Sequence, residues 1–239
     1  MRLKVIFLLI APLIFGFNAG QGDNKRKPVD ESKEIIALIK KAFNNVTYRL
    51  SEEESEWREA KIGLPLSDGN ELRTGSKSLA VVIFKDGSGL LRVRENSILH
   101  IYGASEDRKL NKDAFIQRGM IGFDVNKQSE GEEFRFTTPT VVASIRGTNG
   151  FLEFDEDSTF TMSLESGMAD LSFRGPQGGT GQLNQGNTVV ITPEGNFQFR
   201  SQNQEDMNKI NLSKQAAVKK IYIETDEGTI EIEYYAPEE

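Results

Sequence analysis

The chain has 239 residues, with 29 lysines and arginines against 36 aspartates and glutamates, so its formal net charge is −7. An acidic chain is a poor partner for nucleic acid or an anionic membrane surface, because both carry negative charge themselves. It contains no cysteine and a single histidine, His100, which excludes disulfide frameworks, thiol nucleophiles and metal sites built from several cysteines or histidines.

The first twenty residues have the pattern of a secretory signal peptide. Arg2 and Lys4 precede an apolar run, Val5–Phe17, and small or polar residues follow it. The run is shorter than the roughly 18–20 apolar residues that span a bilayer. The sequence therefore predicts an extracytoplasmic protein, in the periplasm of a bacterium, with no membrane span in the mature chain. An uncleaved membrane anchor is the alternative.

Residues 21–45 are predicted to form a polar linker and a short amphipathic helix. Between Asp30 and Asn44 the apolar residues recur with helical spacing, at Ile35, Leu38, Ile39, Ala42 and Phe43. Asp30 or Ser32 would cap such a helix. We expect the apolar stripe to pack on the main domain, and a partner-binding helix is the alternative.

From Val46 to Arg200 the apolar period changes to two, which predicts strands. The candidate strands are Val46–Leu50, Asn70–Thr74, Leu79–Phe84, Gly89–Arg94, Ser97–Tyr102, Met120–Val125, Glu133–Thr137, Val141–Arg146, Gly150–Phe154, Phe160–Leu164, Met168–Arg174, Asn187–Thr192 and Asn196–Phe199. Turn sequences rich in Gly, Asn and Asp separate them. This pattern predicts an all-β fold, a compact roll or solenoid-like sandwich of many short strands, rather than a parallel α/β architecture.

The C-terminal part is predicted to be a helical connector followed by a β-hairpin. Ser201–Asn211 is polar and loosely helical, and Ser213–Lys220 would extend this helix. Asp226-Glu227-Gly228 separates two short strands, Ile221–Glu224 and Thr229–Tyr234. The hairpin would pair with an edge of the main domain or form a small accessory unit. The predicted organisation is therefore a signal peptide (1–20), a linker and helix (21–45), a β domain (46–200) and a connector with hairpin (201–239).

Three ordered blocks of the β region resemble one known family. The first leads from Trp57 through Leu72-Arg73-Thr74-Gly75 to Phe84-Lys85-Asp86-Gly87-Ser88. The second, Phe136–Thr148, contains Thr138-Pro139-Thr140 and Arg146-Gly147-Thr148, the third is Leu164–Leu171, and Gln185-Gly186-Asn187-Thr188-Val189 closes the pattern. Together they resemble the FecR domain of bacterial envelope proteins over about residues 46–192. The resemblance implies an extracytoplasmic, non-catalytic module for protein interaction or signalling.

Two departures from the family pattern are visible. Asn149-Gly150 follow the Arg-Gly-Thr motif where the family has an acid and a hydrophobe, so a partner contact at that point is in doubt. Only Met1–Lys4 precede the apolar run. We therefore expect this chain to lack the cytoplasmic anti-sigma region of the family's iron-uptake regulators.

The resemblance singles out ten residues with structural or binding roles. They are Trp57, Thr74, Gly75, Asp86, Gly87, Thr138, Pro139, Arg146, Gly147 and Thr148. The glycines, together with Gly69, are expected where strands reverse, because glycine adopts positive φ without steric cost. Pro139 is expected at the start of a buried strand, Val141–Ile145.

Two of these residues have alternative roles. Arg146 is expected to bond turn carbonyls or an acid while its stem is buried, and a ligand-binding arginine is the alternative. Trp57 is expected to anchor the core or its rim rather than to stack on a sugar.

The sequence predicts no enzyme, no cofactor and no metal. Its acids, such as Asp155–Asp157, fall in contiguous runs that are typical of solvated loops, so a hydrolase is the least favoured function. Two binding functions remain. The β surface or its strand edges would bind another envelope protein, or Trp57, Tyr102 and Phe151 would bind a cell-wall glycan. The oligomeric state is left open.

Overall fold

The computed structural model describes residues 34–106, 109–215, 217–226 and 228–236. The predicted signal peptide, residues 1–20, and the linker up to residue 33 lie outside the described residues. The strands are β1 (Ile35–Phe43), β2 (Val46–Arg49), β3 (Arg58–Glu59), β4 (Pro65–Ser67), β5 (Asn70–Thr74), β6 (Leu79–Phe84), β7 (Gly89–Val93), β8 (Ile98–Glu106), β9 (Lys109–Val125), β10 (Phe134–Thr137), β11 (Val141–Phe154), β12 (Phe160–Phe173), β13 (Thr180–Asn184), β14 (Asn187–Ile191), β15 (Phe197–Ser201), β16 (Ala217–Thr225) and β17 (Gly228–Ala236). One helix, α1 (Gln204–Lys214), completes the part of the chain that the structure describes.

Fifteen strands form one continuous, open sheet that folds over into two layers. The first layer has the order β2-β5-β8-β9-β10-β11-β12-β13, with β3 beside β2. The second has the order β4-β1-β6-β7-β9-β11-β12-β14-β15. The long strands β9, β11 and β12 therefore run through both layers. This architecture confirms the predicted all-β fold.

The core lies between the two layers. Phe84 of the second layer meets Phe134 of the first edge-to-face, with ring centroids 4.9 Å apart. Phe123 and Phe136 make a second aromatic contact, with ring centroids 4.7 Å apart and the rings tilted by 47°. Complete burial of such a side chain stabilises a fold by about 1.5–3 kcal/mol, so these aromatic pairs hold the layers together.

In β11 and in β12 the side chains that face the core switch between odd and even residue numbers, and the switch occurs at one glycine in each strand. In β11 the buried core residues are odd-numbered up to Ile145 and even-numbered from Leu152. In β12 they are even-numbered up to Leu164 and odd-numbered from Ala169. The changes fall at Gly147, with φ +61°, and Gly167, with φ +81°. Each is a bulge that adds a residue and turns the strand from one layer into the other.

Strand β9 follows the same rule. Its core positions are even-numbered up to Ile116 and odd-numbered from Ile121, and between them Gly119 has φ +101°. A Cβ at Gly119 would lie 2.1 Å from Ser97 Oγ, so only glycine fits. The predicted strands Val141–Arg146 and Gly150–Phe154 are thus two halves of one strand, and the prediction of a strand reversal at Gly147 is wrong. A bulge bends the strand there without reversing it.

Residues 35–43 form strand β1, so the helix predicted over Asp30–Asn44 is wrong for this part; residues 30–33 lie outside the described range. β1 pairs with β4 and with β6, and a bulge lies between Ile39 and Lys41. The bulge spaces the apolar residues as a helix would. Because β4 and β6 pair with β1 on its two edges, these tertiary contacts override the helical spacing of the local sequence.

Helix α1 confirms the predicted C-terminal helix. It begins with a capping box, in which Asp206 N donates to Asn203 Oδ1 and Asn203 N donates to Asp206 Oδ2, both at 2.9 Å. The helix packs on the outer side of β9, β11 and β12, so closely that a Cβ on Gly122 would lie 2.5 Å from Ser213 O. In the described residues no helix has the length and apolar character needed to cross a bilayer.

Strands β16 and β17 form the predicted hairpin. They pair with each other from Ala217–Ala236 to Thr225–Gly228. They constitute a separate two-stranded sheet, which agrees with the accessory-unit alternative.

Candidate interaction surface

The Arg-Gly-Thr motif and the third resemblance block build one corner of the fold. Thr148 Oγ1 donates to the carbonyl oxygen of Met168 at 2.9 Å. A Cβ at Gly167 would lie 2.3 Å from the carbonyl oxygen of Gly147. Two segments about twenty residues apart in the sequence therefore meet backbone to backbone, and this contact requires glycine in β12 and a positive φ in β11.

Arg146 points to solvent from this corner. Its side chain is exposed, and no hydrogen bond or ion pair holds it among the residues that the structure describes. The expected structural role, with a buried stem and bonded turn carbonyls, is therefore not found. Its register partner on β12, Met168, is also exposed, at 39%. The corner thus presents a cation and a large apolar side chain side by side.

A row of polar side chains crosses the outer side of the first layer next to this corner. Consecutive strands contribute Tyr102 (β8), Asp113 (β9), Arg135 (β10), Ser144 (β11), Asp170 (β12) and Gln182 (β13), which are register partners. With about 4.8 Å between strands, the row is about 24 Å long. We call it the polar row. It is a half-buried to exposed surface, which no other described element covers between β10 and β13.

Asp113 is a partly buried acid of the polar row with a shifted pKa. Burial raises its pKa, although Thr137 Oγ1 donates to Asp113 Oδ2 at 2.9 Å and nearby Arg135 and Arg174 act in the opposite direction. Asp113 Oδ1 is buried without a hydrogen bond, and so is Arg135 Nε, which lies 3.8 Å from a Glu133 oxygen. Buried polar atoms are normally hydrogen-bonded, so these two are exceptions to that rule.

A shallow depression of about 400 Å³ continues the polar row over β11–β13. Its floor is formed by Val142, Ser144, Asp170, Leu171, Ser172, Thr180, Gly181 and Gln182. Gln182 Nε2 donates to Asp170 Oδ1 at 2.9 Å. The surface is therefore broad, open and weakly curved.

Two other parts of the outer surface are covered. Segment 50–57 lies over β2, β5 and β8, where Glu52 Oε1 is 3.3 Å from Nδ1 of the buried His100. Glu71, also buried, accepts from Arg49 Nε at 2.6 Å beneath the same segment. On the second layer α1 covers Phe151, which is 0% exposed. These covers leave the polar row and the Arg146 corner open.

The aromatic residues considered for glycan binding are not presented together. Phe151 is buried, and the half-buried Trp57 ring has the guanidinium carbons of Arg49 and Arg73 at 4.8 and 4.1 Å from its centroid. Cation–π contacts of this kind occupy the ring surface that a sugar would need. Only Tyr102 lies on the open surface.

Asp86 and Gly87 form the turn between β6 and β7. Gly87 has φ +71°, and Asp86 Oδ1 accepts from Ser88 N at 3.0 Å. Asp86 Oδ2 accepts from Lys112 Nζ at 2.6 Å, and the Lys112 side chain is 0% exposed. Sequence analysis missed Lys112, although the alternation of Leu110 with the following apolar residues marks its position as inward.

Four other predicted residues shape connections. Ser97 N donates to the buried Thr74 Oγ1 at 3.0 Å. Gly75 has no positive φ, but a Cβ there would lie 3.1 Å from Asn45 Nδ2. Val141 N donates to Thr138 Oγ1 at 2.9 Å across the turn that contains Pro139. The strand after this turn is fully buried on its inner side only, since Val142 is half-buried.

A second cavity, of about 370 Å³, lies between α1 and the corner of β9 and β11. Its charges are compensated internally, because Lys209 pairs with Glu153 at 2.8 Å and Arg118 lies 3.8 Å from Glu156. Within the described ranges, no three His, Asp or Glu side chains converge on a point that could hold a metal ion.

Comparison with known proteins agrees with the resemblance. The family model for FecR protein matches residues 70–170. Two crystal structures of a candidate anti-sigma factor from Parabacteroides distasonis ATCC 8503 are similar to this chain at 13% and 14% identity, each with a TM-score of 0.49. Each match covers 58% of this chain and 62% of that chain, so this chain spans less than two thirds of the length of those structures. No curated protein matches.

The matched range contains nine of the ten singled-out residues, from Thr74 to the corner at Thr148, and leaves only Trp57 outside. It also contains the Asp86–Lys112 pair, the turn at Pro139 and most of the polar row. Residues 70–170 of this chain are therefore similar to the FecR family.

Proposed function

We propose that this chain is a non-catalytic, extracytoplasmic interaction module in a signalling system, and that it binds another envelope protein through the polar row and the Arg146 corner. The FecR domain supports the signalling association. The extracytoplasmic location rests on the leader-like pattern of residues 1–20. The choice of surface rests on its geometry.

The observation that carries the proposal is the exposed Arg146, which has no partner among the residues that the structure describes. Holding a cation and a 39% exposed Met168 together at a tight corner gives no visible benefit to the isolated domain. Arginine, methionine and tyrosine are enriched in protein interfaces, and Tyr102 lies at the far end of the same surface.

The shape of the surface favours a protein over a small molecule. Small-molecule sites are concave and enclose most of their ligand, whereas the depression over β11–β13 is open. Specific protein interfaces bury about 800 Å² on each partner, and the polar row, about 24 Å long, is of that scale. Glycan binding has no observation in its favour, because Phe151 is buried and Trp57 is engaged by arginines.

Site-specific photocrosslinking in cells that express the full chain tests the proposal. A photoreactive residue would replace Arg146, Asp170 or Gln182 in turn, and the exposed Lys61 and Glu156 would serve as control positions. We expect the three surface positions to crosslink one and the same protein, and the two controls to give no such product. Equal crosslinking at the controls, or none at the surface, would refute the assignment.

The identified partner then allows a quantitative test. Arg146→Glu should weaken binding in calorimetry at least about tenfold, which corresponds to about 1.4 kcal/mol. Arg146→Lys keeps the charge but loses the planar guanidinium, so it should lie between wild type and Arg146→Glu. If both variants bind like wild type, Arg146 does not belong to the interface.

A further inference from the structure

The only histidine of the chain is buried beneath the segment that joins β2 to β3. We call this segment, residues 50–57, the covering segment. The His100 side chain is 1% exposed. Its ring meets the Phe115 ring edge-to-face at 5.2 Å and lies parallel to the Tyr102 ring at 6.2 Å. Histidine is the side chain that ordinarily changes charge between about pH 5 and about pH 8, so the contacts of this ring decide what that change does.

Contacts that do not change with pH in this range hold the two ends of the covering segment. At one end Asn70 Nδ2 donates to the carbonyl oxygen of Leu50 at 3.0 Å. At the other end the Trp57 ring contacts the guanidinium groups of Arg49 and Arg73. An amide does not titrate and arginine stays protonated, so both ends stay attached while the histidine gains or loses its proton.

The middle of the covering segment contacts His100. Glu52 Oε1 lies 3.3 Å from His100 Nδ1, and the Glu52 side chain is 64% exposed. Nδ1 is buried and makes no hydrogen bond within the described residues, so rotation of the Glu52 side chain would complete one. Nε2 lies 3.4 Å from Gln117 Oε1. A protonated ring donates from both nitrogens and a neutral ring from one, so the protonated ring matches both oxygens.

The charges of the packed elements balance when His100 is protonated. Glu71, the register partner of His100 on β5, has an oxygen 3.9 Å from Nδ1. Arg49 of β2 already compensates this carboxylate, because its Nε donates to Glu71 Oε2 at 2.6 Å. Glu52 contacts no other cation in the part of the chain that the structure describes. The imidazolium therefore supplies the counter-charge for Glu52.

The other titratable groups near the ring are acids and one tyrosine. Burial and the negative charges of Glu52, Asp68, Asp113 and Glu71 raise the pKa of the Tyr102 hydroxyl, so it stays neutral where histidine titrates. Burial also raises the pKa of Asp113. An Asp113→Asn variant is therefore needed as a control for any change with pH.

We propose that the protonated ring of His100 holds the middle of the covering segment through Glu52, and that the segment is released there as pH rises from about 5 to about 8. A hydrogen bond to a charged group is roughly twice as strong as one between neutral groups. Loss of the proton therefore weakens this contact and removes the counter-charge of Glu52. The contact also needs an ionised carboxyl group, which sets its lower limit near about pH 5.

Release changes the surface that the fold presents. Tyr102 forms one end of the polar row and stacks on His100. Opening of the covering segment uncovers His100 and Glu71, so the open polar surface extends from β8 onto β5. The covering segment thus restricts part of the interaction surface at mildly acidic pH. This consequence rests on the proposed function, whereas the release itself does not.

Hydrogen–deuterium exchange of the full chain, followed by mass spectrometry, measures the release. Peptides that contain the covering segment are compared at about pH 5.5 and about pH 7.5, on either side of the ordinary histidine range, after correction for intrinsic exchange rates. Ion pairs with an exposed partner stabilise weakly, so protection of these amides should fall about two- to fivefold at the higher pH. Protection that stays constant would overturn the proposal.

Three variants assign the response to one ion pair. Glu52→Gln removes the charge from an exposed side chain and should abolish most of the pH dependence. Glu53→Gln, at the exposed neighbouring residue, is the matched control and should keep the pH dependence, as should Asp113→Asn. An unchanged response in Glu52→Gln, or a lost response in either control, would overturn the assignment.

NMR signals of the imidazole ring connect the release to His100, because the chain has no other histidine. These signals should move over the same pH range as the protection of the covering segment. Signals that stay constant between about pH 5 and about pH 8 would overturn the proposal. Crosslinking from position 146 does not involve the covering segment, so failure here leaves the proposed function standing.

Discussion

Replacing Asp86 by asparagine should destabilise the fold by about 3 kcal/mol, because it leaves the buried ammonium of Lys112 without a counter-charge. Lys112 is completely buried, and its Nζ lies 2.6 Å from Asp86 Oδ2. Breaking a buried ion pair by removing one partner costs about 3–5 kcal/mol. The side chain of Asp86 is 25% exposed, so water partly reaches the pair and the lower end of this range applies.

The opposite substitution should be much milder. Lys112→Met keeps a long apolar side chain among the core residues, and it leaves Asp86 where solvent and the Ser88 amide still stabilise the carboxylate. We expect a loss of no more than about 1 kcal/mol, because apolar replacements of buried charges are often neutral or stabilising. The double variant should resemble Lys112→Met alone, so the two changes are strongly non-additive.

Urea unfolding followed by the fluorescence of Trp57, the only tryptophan, measures these differences. The dependence of the unfolding free energy on urea concentration should stay constant, and only the midpoint should move. The reasoning fails if Lys112→Met is as damaging as Asp86→Asn, since the cost would then come from lost packing rather than from an uncompensated charge.

The ion pair also predicts a pH dependence. Burial by itself raises the pKa of Asp86, but hydrogen bonds from Lys112 and Ser88 outweigh it and hold the pKa below its ordinary value of 3.8. A pKa that is lower in the folded than in the unfolded state stabilises the fold above the unfolded value. This contribution disappears as pH falls through the folded value. The difference between wild type and Asp86→Asn should therefore shrink below about pH 4.

Three further changes test the corner, the helix cap and the polar row. Gly167→Ala should cost at least about 3 kcal/mol in urea unfolding, because its Cβ would meet a carbonyl oxygen at 2.3 Å. The control Gly178→Ala, at a glycine with φ +59° and open space around it, should cost only about 1 kcal/mol. Equal losses for the two variants would argue against the steric explanation. Asp206→Ala removes the capping box and should lower stability by about 1–2 kcal/mol at neutral pH. Burial raises the pKa of Asp206, but hydrogen bonds outweigh burial and hold this pKa below its ordinary value. The loss of stability in Asp206→Ala should therefore fade below about pH 4 in thermal melts followed by circular dichroism. Thr137→Val removes a hydrogen bond that lowers the pKa of Asp113, so an NMR titration should find that pKa higher still, and an unchanged value would contradict the bond.

Local patterns predicted much of the fold where neighbouring residues decide the structure. Strand Leu79–Phe84 has the predicted bounds, because its apolar run ends at a turn whose glycine adopts positive φ. The C-terminal hairpin was also predicted, since Asp226-Glu227-Gly228 joins strands with alternating isoleucines. In both cases the turn and the strands it connects lie within a short window.

The remainder depended on contacts between distant residues. The bulge in β1 gives its apolar residues a helical spacing, and only the neighbouring strands β4 and β6 make it a strand. The first half of β9 was missed because Lys112 occupies an inward position and interrupts the apolar alternation. Its charge is compensated by Asp86, 26 residues earlier, which no local pattern reveals.

The candidate surface was predicted in part. Resemblance identified Arg146 and Gly147, but the contact of Gly147 with Gly167 and the exposure of Arg146 follow from the fold. Asp113 and Arg135 come from strands that are adjacent in space and about twenty residues apart in the chain. Their side chains acquire significance as a pair only when the strands align.

The bulges at Gly119, Gly147 and Gly167 decide which side chains of the following residues in each strand face the core. A one-residue deletion at any of these corners would turn every downstream side chain of that strand over, exposing Phe154 or Leu171 and burying Glu153 or Asp170 instead. The same deletion in the loop between β12 and β13 changes no strand's orientation. Length variation among natural or engineered versions of this domain should therefore accumulate in its loops and spare its three corners.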